Sequence, residues 1–165
     1  MPGPPAGNIV HALKYGGWHA VAREVGIRTA RLSFPADVVE ERTALVPVPL
    51  NRQREKERGY NQSRLIADAV SASWNIPVWA DAIERTRATR SQTELSPEER
   101  RANVTGSVRF QSRRGDLDGS HIVLVDDVVT TAATLNECAR ALYDAGARII
   151  SYATFGRARS AGDRI

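Results

Sequence analysis

Two adjacent acids, Asp126 and Asp127, follow the apolar run at 122–125 and could do chemistry together with three threonines close behind them. The threonines stand at the expected start of a helix: Thr130, Thr131 and Thr134. A helix start binds phosphate because its first backbone N–H groups lack partners and carry a partial positive charge. Adjacent carboxylates would repel a phosphate, but they suit the hydroxyl groups of a ribose diol or a Mg²⁺ ion. The segment therefore predicts a site for a sugar 5-phosphate.

The same residues also have a purely structural interpretation, in which Thr130 or Thr131 caps the helix and the two acids simply end a strand. Two other functional classes are disfavoured. The chain has no G-x-x-x-x-G-K-[ST] motif, which excludes a Walker-type nucleotide site. A phosphoryl receiver domain would need a lysine at a late strand end, and neither Lys14 nor Lys56, the two lysines of the chain, is so placed.

The elements around the acids predict a parallel sheet. The run at 122–125 reads as a strand buried on both faces, and a helical period begins at Ala132. The apolar stripe of this helix consists of Leu135, Cys138, Ala139 and Leu142, and its opposite face carries Asn136, Glu137, Arg140 and Asp144. Another strand follows at 148–155, so the unit is a strand, loop, helix and strand with a right-handed crossover. Ligands of such sheets bind at the carboxyl ends of the strands, where the acids stand.

Further elements precede this unit: strands at 44–48, 77–83 and 107–110, and a helix at 62–73. The order predicts one α/β domain over 1–165, with a mostly parallel sheet of about four or five strands flanked by helices. Its parts are an N-terminal helical segment at 1–43, a core at 44–157 and a tail at 158–165. The charged stretch at 49–62 is expected to be a solvent-facing loop. The long polar segment at 85–103 has the length of a lid or binding loop.

Length and composition exclude several classes of protein and site. The 165 residues suffice for one domain, and no stretch approaches the roughly 20 apolar residues that span a bilayer. The N-terminus lacks a signal-peptide pattern, so we expect a cytoplasmic protein without membrane contact. Cys138 is the only cysteine, which excludes an intramolecular disulfide and a cysteine zinc site, and we expect it in the core.

The net charge is +4 and the sequence pI is about 9.7. An anionic partner fits this charge, either a phosphorylated small molecule or nucleic acid, and the charge alone does not choose between them. The excess of arginine over lysine also has an alternative explanation in genome composition.

Three motifs, in order along residues 9–157, resemble a known family. "VLVDDVVTTAAT" resembles the phosphoribosyl pyrophosphate (PRPP) signature of type I phosphoribosyltransferases. "VPVPLNRQREKERGYNQSRLIA" resembles a motif of their ComF branch, a family of competence-associated proteins, through Arg54, Arg58, Gly59, Tyr60, Asn61 and Gln62. "RTRATRSQTELSPEERRANVTGS" resembles another ComF motif, through Arg85, Thr89, Gln92, Leu95, Arg100 and Asn103. The chain departs from the family in having Ala132 where glycine is usual, and in lacking an N-terminal cysteine-rich zinc module.

The resemblance implies a type I phosphoribosyltransferase-like fold with a small N-terminal helical hood, and a site for Mg²⁺-bound PRPP. Asp126 and Asp127 would hold the ribose hydroxyls, directly or through water bound to Mg²⁺, and would act in catalysis. The 5-phosphate would be held by Val129, Thr130, Thr131, Ala132, Ala133 and Thr134. The pyrophosphate would lie near the loop of Pro49 and Leu50, with Arg54 and Arg58 as its electrostatic partners. The lid residues would be Arg85, Thr89, Gln92, Arg100 and Asn103.

Two functions follow as alternatives. The chain is either a Mg²⁺-dependent phosphoribosyltransferase acting on an acceptor that the sequence does not identify, or a non-catalytic PRPP-binding module. In the second case it would assist DNA uptake and competence through competence proteins or single-stranded DNA. Direct nucleic-acid binding through the arginine-rich loops is a third hypothesis.

Overall fold

A computed structural model describes residues 19–86, 99, 104–111, 117–129 and 131–157. The N-terminal elements are helices α1 (His19–Thr29) and α2 (Ala36–Glu41), strand β1 (Arg42–Pro47), and helices α3 (Arg52–Arg58) and α4 (Gln62–Trp74). They are followed by strands β2 (Ile83–Arg85), β3 (Val108–Phe110) and β4 (His121–Val129), helix α5 (Ala133–Tyr143) and strand β5 (Ile149–Arg157). The predicted lid residues Thr89, Gln92, Arg100 and Asn103, together with Thr130, lie outside the described residues.

The main sheet is parallel, with β4 between β1 and β5. Its register pairs Pro47 with Val125, and Asp126 with Thr154. β2 and β3 form a separate antiparallel pair. The α/β fold class predicted from the sequence is confirmed. The parallel sheet has three described strands instead of the expected four or five, because β2 and β3 form the second sheet.

The strand predicted at 77–83 is the main local difference. Only Val78 pairs with β1, through a single parallel bridge to Leu45. Trp79 N donates to Leu45 O at 2.8 Å, and Leu45 N donates to Pro77 O at 2.9 Å. The chain then turns away, and Ile83 starts β2 in the other sheet. An apolar run could not distinguish these two short pieces from one strand.

Each face of the main sheet is covered by its own apolar core. Successive residues of a strand point to opposite faces, so Leu45 and Val123 pack with Val25 and Ile66 beneath α1 and α4. The alternate residues Val46, Ile122 and Leu124 of the same strands pack on the other face, against Val108 of β3 and Leu142 of α5. The sheet is thus a middle layer, and the residues at its carboxyl edge are held between two packed layers.

The charged stretch at 49–62 is not the loop that the sequence predicted, because much of it is α3. Asn51 caps this helix by accepting from Gln53 N at 2.9 Å, and Gly59 ends it with a φ of +78°. Asn61 then caps α4, accepting from Ser63 N at 2.9 Å. No residue of this helix is buried, so the expectation of solvent exposure was right while the expectation of a loop was wrong.

One residue of helix α5 is buried although the sequence predicts it on the exposed polar face. Cys138 is fully buried, as expected, and burial raises the pKa of its thiol to about 12. Glu137, expected on the polar face, is only 7% exposed. It accepts from Gly106 N at 2.6 Å and from Arg140 Nη2 at 2.8 Å, so its carboxylate is buried with partners. Among the described residues, no helix is long and apolar enough to cross a membrane.

Candidate functional site

The candidate site lies where β4 leads into α5. Ala132 immediately precedes the helix and has a φ of +56° and a ψ of 7°, in the left-handed region. This is the position at which related signatures usually have glycine. Glycine adopts this conformation without cost, whereas alanine pays about 1 kcal/mol or more. The alanine therefore adopts the left-handed backbone conformation that favours glycine.

The predicted phosphate-binding residues that the structure describes are close together at this helix start. Val129 ends β4, and Ala133 and Thr134 begin α5. The side chain of Thr131 points inward, because its Oγ1 is buried and has no hydrogen-bond partner among the described residues. A buried hydroxyl without a partner is unfavourable, so a hydrogen bond to a ligand at this helix start would stabilise it.

The two acids are not presented equally. Asp126 is partly exposed, and its Oδ1 accepts from Ser63 Oγ at 2.8 Å and from Asp127 N at 2.9 Å. Asp127 is only 3% exposed, and its Oδ1 accepts from Val128 N at 2.8 Å. Asp126 is therefore the carboxylate that a ligand at this edge can reach, whereas Asp127 is held within the protein.

The loop after β1 lies beside these residues at the same edge. Val48 N donates to Val125 O at 2.9 Å, which fixes the start of the loop next to β4. Asn61 Nδ2 donates to Val48 O at 3.0 Å, and Arg85 Nε donates to Pro49 O at 3.0 Å. The loop of Pro49 and Leu50 is thus held by side chains from α4 and β2.

Arg54 and Arg58, the predicted pyrophosphate partners, are both on α3. Arg54 is exposed, and it is close enough to Arg85 for its charge to lower the pKa of that guanidinium. Arg58 is partly buried, and its Nη1 donates to Gln62 Oε1 at 3.2 Å. The predicted contact of these two arginines with a ligand stays a prediction.

Arg85 is the one predicted lid residue among those described. It is the last residue of β2, and its Nη2 lies 3.5 Å from Thr134 Oγ1. Burial lowers the pKa of its guanidinium, while the nearby charge of Asp126 acts in the opposite direction. The structure therefore brings Arg85 together with the predicted phosphate-binding helix and the acids.

The carboxylates at this edge of the sheet are candidate ligands of Mg²⁺. Mg²⁺ in proteins is commonly bound by one or two carboxylates, with waters and substrate phosphates completing its shell. The oxygens of Asp126 fit that chemistry. Among the described residues, no group of three or more acidic, histidine or cysteine side chains could hold a metal ion. These residues thus fit an ion that arrives with a phosphorylated ligand and shares its oxygens.

A cavity of about 260 Å³ is lined in part by the same loop, through Pro49 and Leu50. Its charged lining is mixed, with the arginines Arg52, Arg64 and Arg85 and the acids Glu55, Asp81 and Glu84. Equal numbers of basic and acidic groups do not make the continuous positive surface that a nucleic-acid backbone requires.

Sequence reasoning missed Ser63 as a residue that supports this site, and it also missed the burial of Glu137. For Ser63 a signal was present, because it stands two residues after the helix cap Asn61, and helices of α/β units begin at the ligand-binding edge. For Glu137 none was present, since its helical spacing places it with the exposed residues of α5.

Comparisons with known proteins agree with this geometry. The model of the phosphoribosyl transferase domain family matches residues 62–164. Competence protein F of Haemophilus influenzae is 33% identical over 133 residues, which cover 81% of this chain and 54% of that protein. The DNA utilization protein YhgH of Escherichia coli strain K12 is 34% identical over 155 residues, covering 89% of this chain and 65% of that protein. The chain therefore spans less than two thirds of the length of these relatives.

Among solved structures, the glutamine PRPP amidotransferase from B. subtilis, complexed with ADP and GMP, matches with a TM-score of 0.55 at 20% identity. The match covers 83% of this chain and 26% of that one, and it shows the fold alone. The family match over 62–164, together with the competence and DNA-utilization relatives, shows that the chain belongs to the phosphoribosyl transferase domain family, in its ComF branch.

Proposed function

We propose that this chain binds PRPP with Mg²⁺ and transfers its phosphoribosyl group to an acceptor. The observation that carries the proposal is the start of α5, where left-handed Ala132 stands beside the buried Thr131 hydroxyl. A left-handed residue at a helix start helps to form a concave group of backbone N–H donors that suits an anion. The Thr131 hydroxyl would recover the roughly 1–3 kcal/mol that an unsatisfied buried polar group costs. A 5-phosphate meets both requirements.

Asp126 is the residue to which we assign the ribose. Its carboxylate is partly exposed and oriented by Ser63, so it can accept hydrogen bonds from ribose hydroxyls. Departure of pyrophosphate leaves positive charge on the sugar, and a fixed carboxylate nearby stabilises that charge. When bound, Mg²⁺ would neutralise charge on the leaving pyrophosphate.

The test of binding is isothermal titration calorimetry with PRPP and Mg²⁺ on wild type, Asp126→Asn and Asp127→Asn. The Asp126→Asn variant loses charge-assisted hydrogen bonds, so its affinity for PRPP should be weaker by about tenfold or more. The control is Asp144→Asn, which removes an exposed carboxylate at the far end of α5 and should leave affinity unchanged. Undetectable PRPP binding by wild type, or unchanged affinity in Asp126→Asn, would contradict the assignment.

Asp127 gives the same experiment a second contrast. Because the Asp127 carboxylate is held within the protein, Asp127→Asn should lower the affinity for PRPP less than Asp126→Asn does. Catalysis is tested separately by measuring pyrophosphate release from PRPP in the presence of candidate amine acceptors.

A second candidate function is a non-catalytic PRPP-binding module that assists DNA uptake. It is favoured by the names of the relatives, competence protein F and DNA utilization protein, and by the net charge of +4. PRPP binding without pyrophosphate release would support it. Binding of single-stranded DNA that weakens steeply with added salt would support the nucleic-acid form of this hypothesis.

A further inference from the structure

Arg85 joins two parts of the chain that are far apart in sequence. Its Nε donates to Pro49 O in the loop after β1 at 3.0 Å, and its Nη2 lies 3.5 Å from Thr134 Oγ1 in the first turn of α5. One planar guanidinium thus contacts the loop beside the proposed pyrophosphate position and the helix of the proposed 5-phosphate position.

The electrostatic surroundings of Arg85 show that the contact is costly to build. Burial lowers the pKa of the guanidinium, and the charge of Arg54 adds to that effect, while Asp126 opposes it. An arginine stays charged even so, because its pKa lies far above neutrality. Desolvation of a partly buried cation is offset by hydrogen-bond partners, and the two contacts described here come from the two proposed anion-binding segments.

We propose that Arg85 is a positioning residue that fixes the loop after β1 against the start of α5, and so sets the distance between the two anion-binding positions. This inference rests on the proposed function, because a ligand such as PRPP must occupy both positions at once. Its two anionic groups are held by one sugar, so the affinity for the whole ligand depends on the spacing of the positions.

Direct binding of phosphate by Arg85 is the competing explanation. The guanidinium has a single Nε–H, and that donor is committed to Pro49 O. Its remaining donors are at the two terminal nitrogens, one of which faces Thr134. A lysine at this position keeps the charge but lacks the planar arrangement of donors, so it cannot make the Pro49 and Thr134 contacts together.

Binding of three ligands separates the two explanations. Affinities for PRPP with Mg²⁺, ribose 5-phosphate and pyrophosphate are measured on wild type, Arg85→Lys and the control Arg28→Gln, which removes an exposed arginine of α1. We expect Arg85→Lys to weaken PRPP about tenfold or more, and each single-anion ligand by about threefold or less. Equal weakening of PRPP and of either fragment would overturn the proposal in favour of direct binding. Unchanged PRPP affinity would overturn it as well.

Hydrogen exchange of the ligand-free protein tests whether Arg85 holds the two segments together, without any ligand. Arg85→Lys and Arg85→Gln should both speed amide exchange at Leu50 and Asn51 and in the first turn of α5, and leave α1 unchanged. Unaltered exchange in both variants would refute the positioning role. Failure of wild type to bind PRPP would contradict the proposed function instead, and the exchange measurement would still decide whether Arg85 holds the two segments together.

Discussion

The Ser63 hydroxyl donates a hydrogen bond of 2.8 Å to Asp126 Oδ1, which joins the first turn of α4 to the carboxyl end of β4. Ser63 is 1% exposed, so this bond is shielded from water. Asp127 N donates to the same oxygen at 2.9 Å. Two donors on one oxygen fix the orientation of the Asp126 carboxylate before any ligand arrives, which is how a binding group is preorganised.

The first prediction tests this orientation. Ser63→Ala should weaken PRPP binding by about threefold to tenfold, the equivalent of one hydrogen bond, and should lower the free energy of unfolding by about 1 kcal/mol. Calorimetry and urea unfolding measure the two effects. Ser73→Ala is the matched control, because Ser73 is an exposed serine at the other end of α4. Equal PRPP affinity in Ser63→Ala and wild type would show that Asp126 needs no such support.

Ala132 gives the second prediction. Because its φ of +56° disfavours alanine, Ala132→Gly should raise the free energy of unfolding by up to about 1 kcal/mol, and the unfolding temperature by about 3 °C. PRPP binding should be kept or tightened. Asn75→Gly is the control, since Asn75 has a φ of +53° at the end of α4, and asparagine tolerates this region better than alanine. A loss of stability in Ala132→Gly that exceeds any change in Asn75→Gly would contradict this account.

Much of the site followed from the sequence because it depends on local chemistry. The acids and threonines are contiguous, and a strand followed by a helix places them at one sheet edge wherever the fold puts its other elements. The division of the strands into two sheets could not be predicted, since pairing partners are set by packing across the whole domain. Arg85 shows the same limit. Its position in the sequence assigned it to the long polar segment, but its side chain contacts the loop after β1 and the start of α5.

Glu137 gives the third prediction. Its hydrogen bond with Arg140 and its bonds from the backbone at Gly106 and Val108 hold the pKa of this carboxyl below its ordinary value of 4.5. A depressed pKa means that the contribution to stability is fully present above the unfolded pKa and is lost as the pH falls through the folded one. Glu137→Gln should therefore cost about 2 kcal/mol near neutral pH, and less at acid pH.

Urea unfolding as a function of pH measures the Glu137 effect. Asp144→Asn is the control, because Asp144 pairs with the same arginine while its side chain is 58% exposed. This exposed pair should contribute no more than a few tenths of a kcal/mol. Comparable losses in the two variants would mean that burial of Glu137 and its backbone contacts add nothing.

The last prediction concerns His121, which is fully buried at the start of β4, the end of the strand away from the candidate site. Its Nε2 lies 2.9 Å from Ser151 Oγ, and its Nδ1 is buried with no hydrogen-bond partner among the described residues. Burial lowers the pKa of the imidazole. The charges of Arg148 and Arg42 also lower it, against those of Glu41 and Asp37. The folded protein therefore holds this histidine neutral.

A lowered histidine pKa makes the unfolded chain bind the proton more readily, so stability should fall as the pH drops through 6.5 toward the folded pKa. His121→Phe keeps a ring of similar size and removes the imidazole that binds the proton. We expect the difference in free energy of unfolding between about pH 7.5 and about pH 5.5 to be smaller in the variant than in wild type. PRPP affinity at neutral pH should stay unchanged, because His121 lies away from the carboxyl edge of the sheet. The same pH dependence in both proteins would show that His121 is already protonated in the fold, or that it titrates equally in the unfolded chain.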